Sequence, residues 1–117
     1  RLGDRSGNSW QLVLFQRVKA GVPESASLRI VGFPGRDTFL HPQPLQVRSR
    51  QIEFLAPDMF AAQAPAANVG QYDMQEILPQ LSTNNSMELT LPLAGDRPVH
   101  LRVPDVVVLE WKLMVQG

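Results

Sequence analysis

Apolar and polar residues alternate with a period of two through most of this chain, the spacing of a strand with one face buried. Trp10, Leu12, Leu14 and Val18 alternate with Gln11, Val13, Phe15 and Arg17, which predicts a strand over 10–18. Ahead of it, Asp4-Arg5-Ser6-Gly7-Asn8 has turn chemistry, so Arg1–Gly3 reads as the end of a partner strand. Gly21-Val22-Pro23-Glu24-Ser25 reads as a loop. Ser27–Phe33 follows as a strand, with Leu28 and Ile30 facing one way and Val31 and Phe33 the other, until Pro34-Gly35 stops it.

Pro42 and Pro44 lack ladder donors, which confines Thr38–Arg50 to a sheet edge or a bend. Leu45 and Val47, then Ile52 and Phe54, restart the alternation in one or two short strands. From Pro57 to Gly70 the pattern dissolves into an Ala- and Pro-rich loop, a length usually functional or mobile. Asp73 with Glu76, and Tyr72 with Ile77, then suggest a capped and stapled helix start, cut short by Pro79. Met87–Leu93 and Pro98–Val103, joined through Ala94-Gly95-Asp96, form the clearest hairpin.

Val106–Val115 fits two readings. Alternation would set Val107, Leu109, Trp111, Leu113 and Val115 on one strand face. As a helix, Val107, Val108, Trp111, Met114 and Val115 make an apolar arc, with Asp105, Lys112 and Gln116 opposite. Pro104 suits the first helical position and Asp105 the positive end of the dipole, which favours the helix. The fold expected is mainly β, an antiparallel sheet of about 6–7 strands forming a small barrel or sandwich. One short helix near 73–81 and a C-terminal helix near 104–115 complete a single domain spanning 1–117.

Charge adds one feature to that picture. The total is zero, but residues 1–50 carry eight Lys+Arg against three Asp+Glu, and residues 51–117 three against eight. Paired strands from the two halves would cancel this asymmetry; otherwise it marks an interaction surface. A zero total argues against nucleic acid as a partner. No cysteine is present, so disulfides, thiolate catalysis and zinc fingers are out, and no apolar run is long enough for a membrane-spanning helix.

Several blocks are word-like: Gly7-Asn8-Ser9-Trp10, Val31-Gly32-Phe33-Pro34-Gly35, Asn68-Val69-Gly70-Gln71-Tyr72-Asp73, Leu78-Pro79-Gln80-Leu81 and Val103-Pro104…Glu110-Trp111. Through them the chain resembles a cyanobacterial exported domain family of unknown function. The resemblance implies an export segment ahead of Arg1, which this sequence does not contain, and residence in the periplasm or thylakoid lumen. It implies no activity.

The residues themselves offer little catalysis. His41 precedes a proline and His100 faces outward in the last hairpin, and no serine sits in a nucleophile elbow. Metal-ligand spacings and a phosphate-cradling loop are also missing, so neither enzyme activity nor a cofactor is expected. Two surfaces stand out. Met59 and Phe60, with Asn68, Gln71, Tyr72 and Asp73, would suit docking to another protein, including a membrane protein, unless Phe60 folds back and Tyr72 only staples a helix. Arg29, Arg36, Arg48 and Arg50 would contact anions, or simply line a solvated strand face; nine of the eleven basic residues are arginine. The leading expectation is a non-catalytic interaction or accessory domain near a photosynthetic or cell-envelope membrane. The alternative is a β-barrel carrier for a lipid, pigment or quinone.

Overall fold

The computed structural model describes residues 2–96 and 98–116. Arg1, Arg97, Gly117 and the side chain of Gln116 lie outside the described residues, and with them the Arg1 end of the first strand and the polar-face position given to Gln116. In chain order the strands are β1 (Leu2–Gly3), β2 (Ser9–Lys19), β3 (Val22–Val31), β4 (Leu45–Ser49), β5 (Ile52–Ala56), β6 (Val69–Asp73), β7 (Met87–Leu91) and β8 (Val99–Val103). A single 3-10 turn (Leu78–Gln80) lies before β7, and helix α1 spans Asp105–Gln116. The strands form two four-stranded antiparallel sheets, ordered β1-β2-β3-β6 and β5-β4-β7-β8. Their inner faces meet over one core as a sandwich, and no barrel closes.

β2 and β3 form the longest hairpin. Ala20 and Gly21 turn it with φ of 52° and 77°, the left-handed pair whose twist suits flanking strands. Of the loop expected at Gly21–Ser25, only Gly21 belongs to the turn, and Val22–Ser25 is strand. Arg17 pairs with Ser25 but Val18 with Pro23, leaving Glu24 as the extra residue of a bulge. A proline is tolerated there because the ladder is already interrupted. Pro42 and Pro44 fall in the bend before β4, and β4 itself is central, between β5 and β7.

The helix expected near 73–81 is largely absent. Val69–Asp73 pairs with β3 instead, from Val31↔Val69 to Ser27↔Asp73. The Asp73 N–H donates to the Pro57 carbonyl (2.9 Å), so it is not available to Glu76 for a capping box. Asp73 Oδ1 accepts from the Gln75 N–H (3.0 Å), and only Leu78–Gln80 coils. Tyr72, as a strand residue, sends its ring into the core beside Phe39.

Helix α1 forms as expected and covers one end of the core with Val107, Val108, Trp111 and Val115. Its rotation differs from the expected wheel. Lys112 is buried, with its ammonium donating to the Leu81 carbonyl, while Met114 is exposed beside Val106, Leu109 and Leu113. A long lysine stem can lie on apolar surface while its head satisfies a carbonyl at the end of the 3-10 turn, so the charge does not dictate the face.

The second sheet absorbs the charge asymmetry. Register aligns Glu53, Arg48, Glu88 and Arg102 across β5, β4, β7 and β8, an alternating ladder on the outer face. Arg48 Nη2 lies 3.2 Å from Glu88 Oε1. The first sheet takes three of its four strands from the basic half of the chain, so no such cancellation occurs there.

Candidate functional site

Alternation on β2, β3 and β6 sets Phe15, Arg17, Lys19, Ser27, Arg29 and Gln71 on the outer face of the first sheet. Arg29 stands opposite Val13 on β2 and Gln71 on β6. Its Nε–H donates to Gln71 Oε1 (2.9 Å), and Gln71 Nε2 donates to Ser27 Oγ (3.1 Å), which fixes the amide orientation. The guanidinium carbon sits 5.4 Å from the Phe15 ring centre and 5.7 Å from that of Phe60. Both distances are within cation–π range. Phe15 (45% exposed), Val18 and Met59 (44%) edge an open groove of about 500 Å³ beside it.

Asp58 places the Phe60 wall. Its Oδ1 accepts from the Phe60 N–H (2.8 Å), while Oδ2 meets His41 Nδ1 (2.6 Å) and the Gln43 N–H (3.4 Å). Met59 N–H donates to the Gln71 carbonyl (2.8 Å), so Met59 and Phe60 are laced to β6 rather than loose. A His–Asp pair invites a general-base reading, but His41 Nε2, the nitrogen a base would present, is buried without a partner. The pair fastens a loop. Among the described residues no group of three or more His, Cys, Asp or Glu side chains is placed to hold a metal.

The structure thus joins parts of the two surfaces expected from sequence and discards others. Met59, Phe60 and Gln71 converge on Arg29, with Asp73 at the end of β6. Asn68 and Tyr72 turn inward. Asn68 Nδ2 donates to the Gly32 carbonyl (2.9 Å), and the fully buried Tyr72 phenol is pushed above its usual range by burial first and by the Asp58 charge second. The arginines do not form one anion site. Arg48 belongs to the ladder, and Arg50 lies at the β4–β5 turn, where Asn85, with its oxygen toward the guanidinium, accepts from Nε (2.8 Å). Arg36 binds Asp37 (2.8 Å) and Asn8 (2.9 Å) and covers the Phe33 ring, which joins two turns.

Two contributors escaped the sequence reading. Phe15 shows its signal in retrospect, being a large aromatic at an outward strand position. Asp58 sits two residues before Phe60, the spacing of an Asx turn.

The turn that Arg36 reaches centres on Asp4. Its carboxylate accepts from the Ser6 N–H (2.9 Å), the Asn8 N–H (3.0 Å) and the Trp10 indole (3.0 Å). Partial burial, the largest single influence, opposes ionisation, but Trp10, Asn8, Ser6 and the Arg36 charge together lower the pKa below 3.8. A depressed folded pKa adds stability above the unfolded value, and that stability is lost as pH falls through the folded one. Urea midpoints of the wild type should therefore drop more steeply below pH 3.8 than those of Asp4→Asn. Parallel curves for the two proteins would remove Asp4 from the acid response.

A family described as "Protein of unknown function (DUF3122)" matches the chain over residues 1–114. No curated protein and no solved structure matches it.

Proposed function

The chain belongs to the DUF3122 family of proteins of unknown function, and from that premise we propose that it is a non-catalytic interaction domain that docks another protein on the outer face of its first sheet. One observation carries this reading. Phe15 and Met59 remain exposed around a guanidinium that is already oriented by Gln71 and flanked by two aromatic rings. Aromatic residues, Met and Arg are the side chains enriched at protein interfaces. The ladder on the opposite sheet satisfies its own charges, whereas this face keeps Arg17, Lys19 and Arg29. The periplasm or thylakoid lumen, beside a membrane, is the compartment we propose, supported by the resemblance of the sequence blocks alone. No helix among the described residues is long and apolar enough to cross a membrane. A carrier role draws no comparable support, since the sheets leave the barrel open and buried Leu, Ile, Val and Met side chains fill the core.

A photocrosslinker at Ser25, which lines the same groove and is introduced in the native host, tests the docking face. The expected result is one heavier adduct that disappears with Phe15→Asp and Met59→Asp and is absent from a probe at Ile52 on the other sheet. Recovery of the chain alone from the Ser25 probe, or an adduct indifferent to both substitutions, would overturn the reading.

A further inference from the structure

Among the arginines of the expected anion set, Arg36 and Arg48 have carboxylate partners and Arg50 reaches a carboxamide. Arg29 is different. No carboxylate among the described residues lies within ion-pair distance of it, although it is half-buried and its Nε is committed to Gln71. The Nη1/Nη2 edge of a guanidinium is a planar donor pair matched to the two oxygens of one carboxylate. Here that fork is held before any ligand arrives: Gln71 fixes one side, Ser27 fixes Gln71, and the Phe15 and Phe60 rings flank the guanidinium carbon at 5.4 and 5.7 Å. The ordering entropy of a long side chain is thus met during folding, and less is lost on binding.

We infer that Arg29 is a carboxylate receptor, and that the docked partner presents an acidic peptide segment, an Asp or Glu directly beside an apolar side chain. This rests on the docking face proposed above and names what that face reads. The apolar neighbour follows from the groove, where Phe15 and Met59 lie exposed beside the guanidinium. An anion without an attached apolar group would leave those surfaces in water. The acidic character follows from charge. Arg17 and Lys19 lie along β2 on the same face, and Asp73, its acidic residue on β6, already spends Oδ1 on the Gln75 N–H. A single engaged fork suits one carboxylate, whereas a doubly charged phosphate is best met by several cations converging on it.

Display of random peptides to the full chain, followed by fluorescence anisotropy with the enriched sequences, tests this. The expected outcome is enrichment of Asp or Glu adjacent to Leu, Ile, Phe or Trp. Loss of one charged hydrogen-bonded contact should weaken binding about tenfold or more, both for Glu→Gln in the peptide and for Arg29→Gln in the protein. Arg29→Lys, which keeps the charge and removes the fork, should lose nearly as much. The peptide-side change leaves the protein untouched, so a folding defect cannot imitate the result. No enrichment, enrichment without an acidic residue, or full binding by Arg29→Lys overturns the inference. So does tighter binding of a phosphoserine version, or Arg29-dependent binding to phosphatidylglycerol vesicles. A Ser25 adduct in cells combined with any of these outcomes would leave the docking face standing and remove only the carboxylate receptor.

Discussion

Replacing Trp10 with alanine is expected to lower the unfolding free energy by about 3–5 kcal/mol, the usual range for emptying a large aromatic site. Trp10 is 1% exposed, and its ring meets Phe39 edge-on at 6.2 Å and 82°. The same ring lies under Gly32, where an added Cβ would come within 2.6 Å of Cζ3. Truncation therefore opens a void bordered by the backbone just past β3 and a buried aromatic ring, neither of which can collapse into it cheaply. It also removes the indole N–H from Asp4, the acceptor at the centre of the first turn. Domains of this size are stable by only about 5–15 kcal/mol, so the variant should be marginal at room temperature. Urea unfolding followed by circular dichroism checks this, and Trp10→Phe should recover about half of the loss. A cost for alanine below about 1.5 kcal/mol would mean that Trp10 is not the organising residue of this end of the core.

The second large effect is expected from the addition of a single methyl group. At Gly70 a Cβ would lie 2.5 Å from the Tyr72 hydroxyl, 2.8 Å from Tyr72 Cε2 and 2.9 Å from Phe39 Cδ1. Both rings are buried, with centres 6.3 Å apart, so neither has free space to enter. Overpacking of this kind costs about 1–3 kcal/mol, and two immobile rings put Gly70→Ala at the upper end. At about 4 °C per kcal/mol, the melting temperature should fall by roughly 10 °C. Tyr72→Phe supplies the internal control. The Tyr72 hydroxyl is buried without a hydrogen-bond partner, so its removal should cost little alone and relieve the closest contact in the double variant. Gly35 gives the contrast: with φ of +81° and no atom within 4 Å of a Cβ, alanine there meets backbone strain but no clash. A Gly70→Ala protein that melts within about 3 °C of wild type would contradict this packing.

How far the fold could be read from sequence depended on whether one residue's pattern had one meaning. The β7–β8 hairpin was legible because Met87, Leu89 and Leu91 alternate cleanly and Gly95 breaks the chain between them. Helix α1 was legible through Pro104 and Asp105, yet its rotation was not, because Lys112 is polar only at its tip. β6 was misread for a physical reason. Asp73, Glu76 and Ile77 carry a helix-start signature, and nothing local reveals that the Asp73 N–H is taken by Pro57, sixteen residues earlier. The site shows the same division. Residue types marked Arg29, Met59, Phe60 and Gln71 as worth testing, but as members of two separate surfaces. Only strand register unites them, because Arg29↔Gln71 is a pairing across 42 residues. Asn68 and Tyr72 looked equally suited to a surface and lie inside, since period two on an unrecognised strand assigns faces in the wrong frame.

The meeting of β1 and β2 with β8 and α1 bears on how fast this fold can close. The Gln16 side chain donates to the Val115 carbonyl across 99 residues, and β1 lies next to β8. The core is completed by Val108, Trp111 and Val115 on the last element of the chain. The β2–β3 hairpin is local and can form early, but its apolar side packs on a second sheet and a helix that all lie later in the sequence, as far on as α1. Contacts of such wide sequence separation make closure slow. Until then the apolar side of the hairpin stays open to water, a surface that a chaperone can hold.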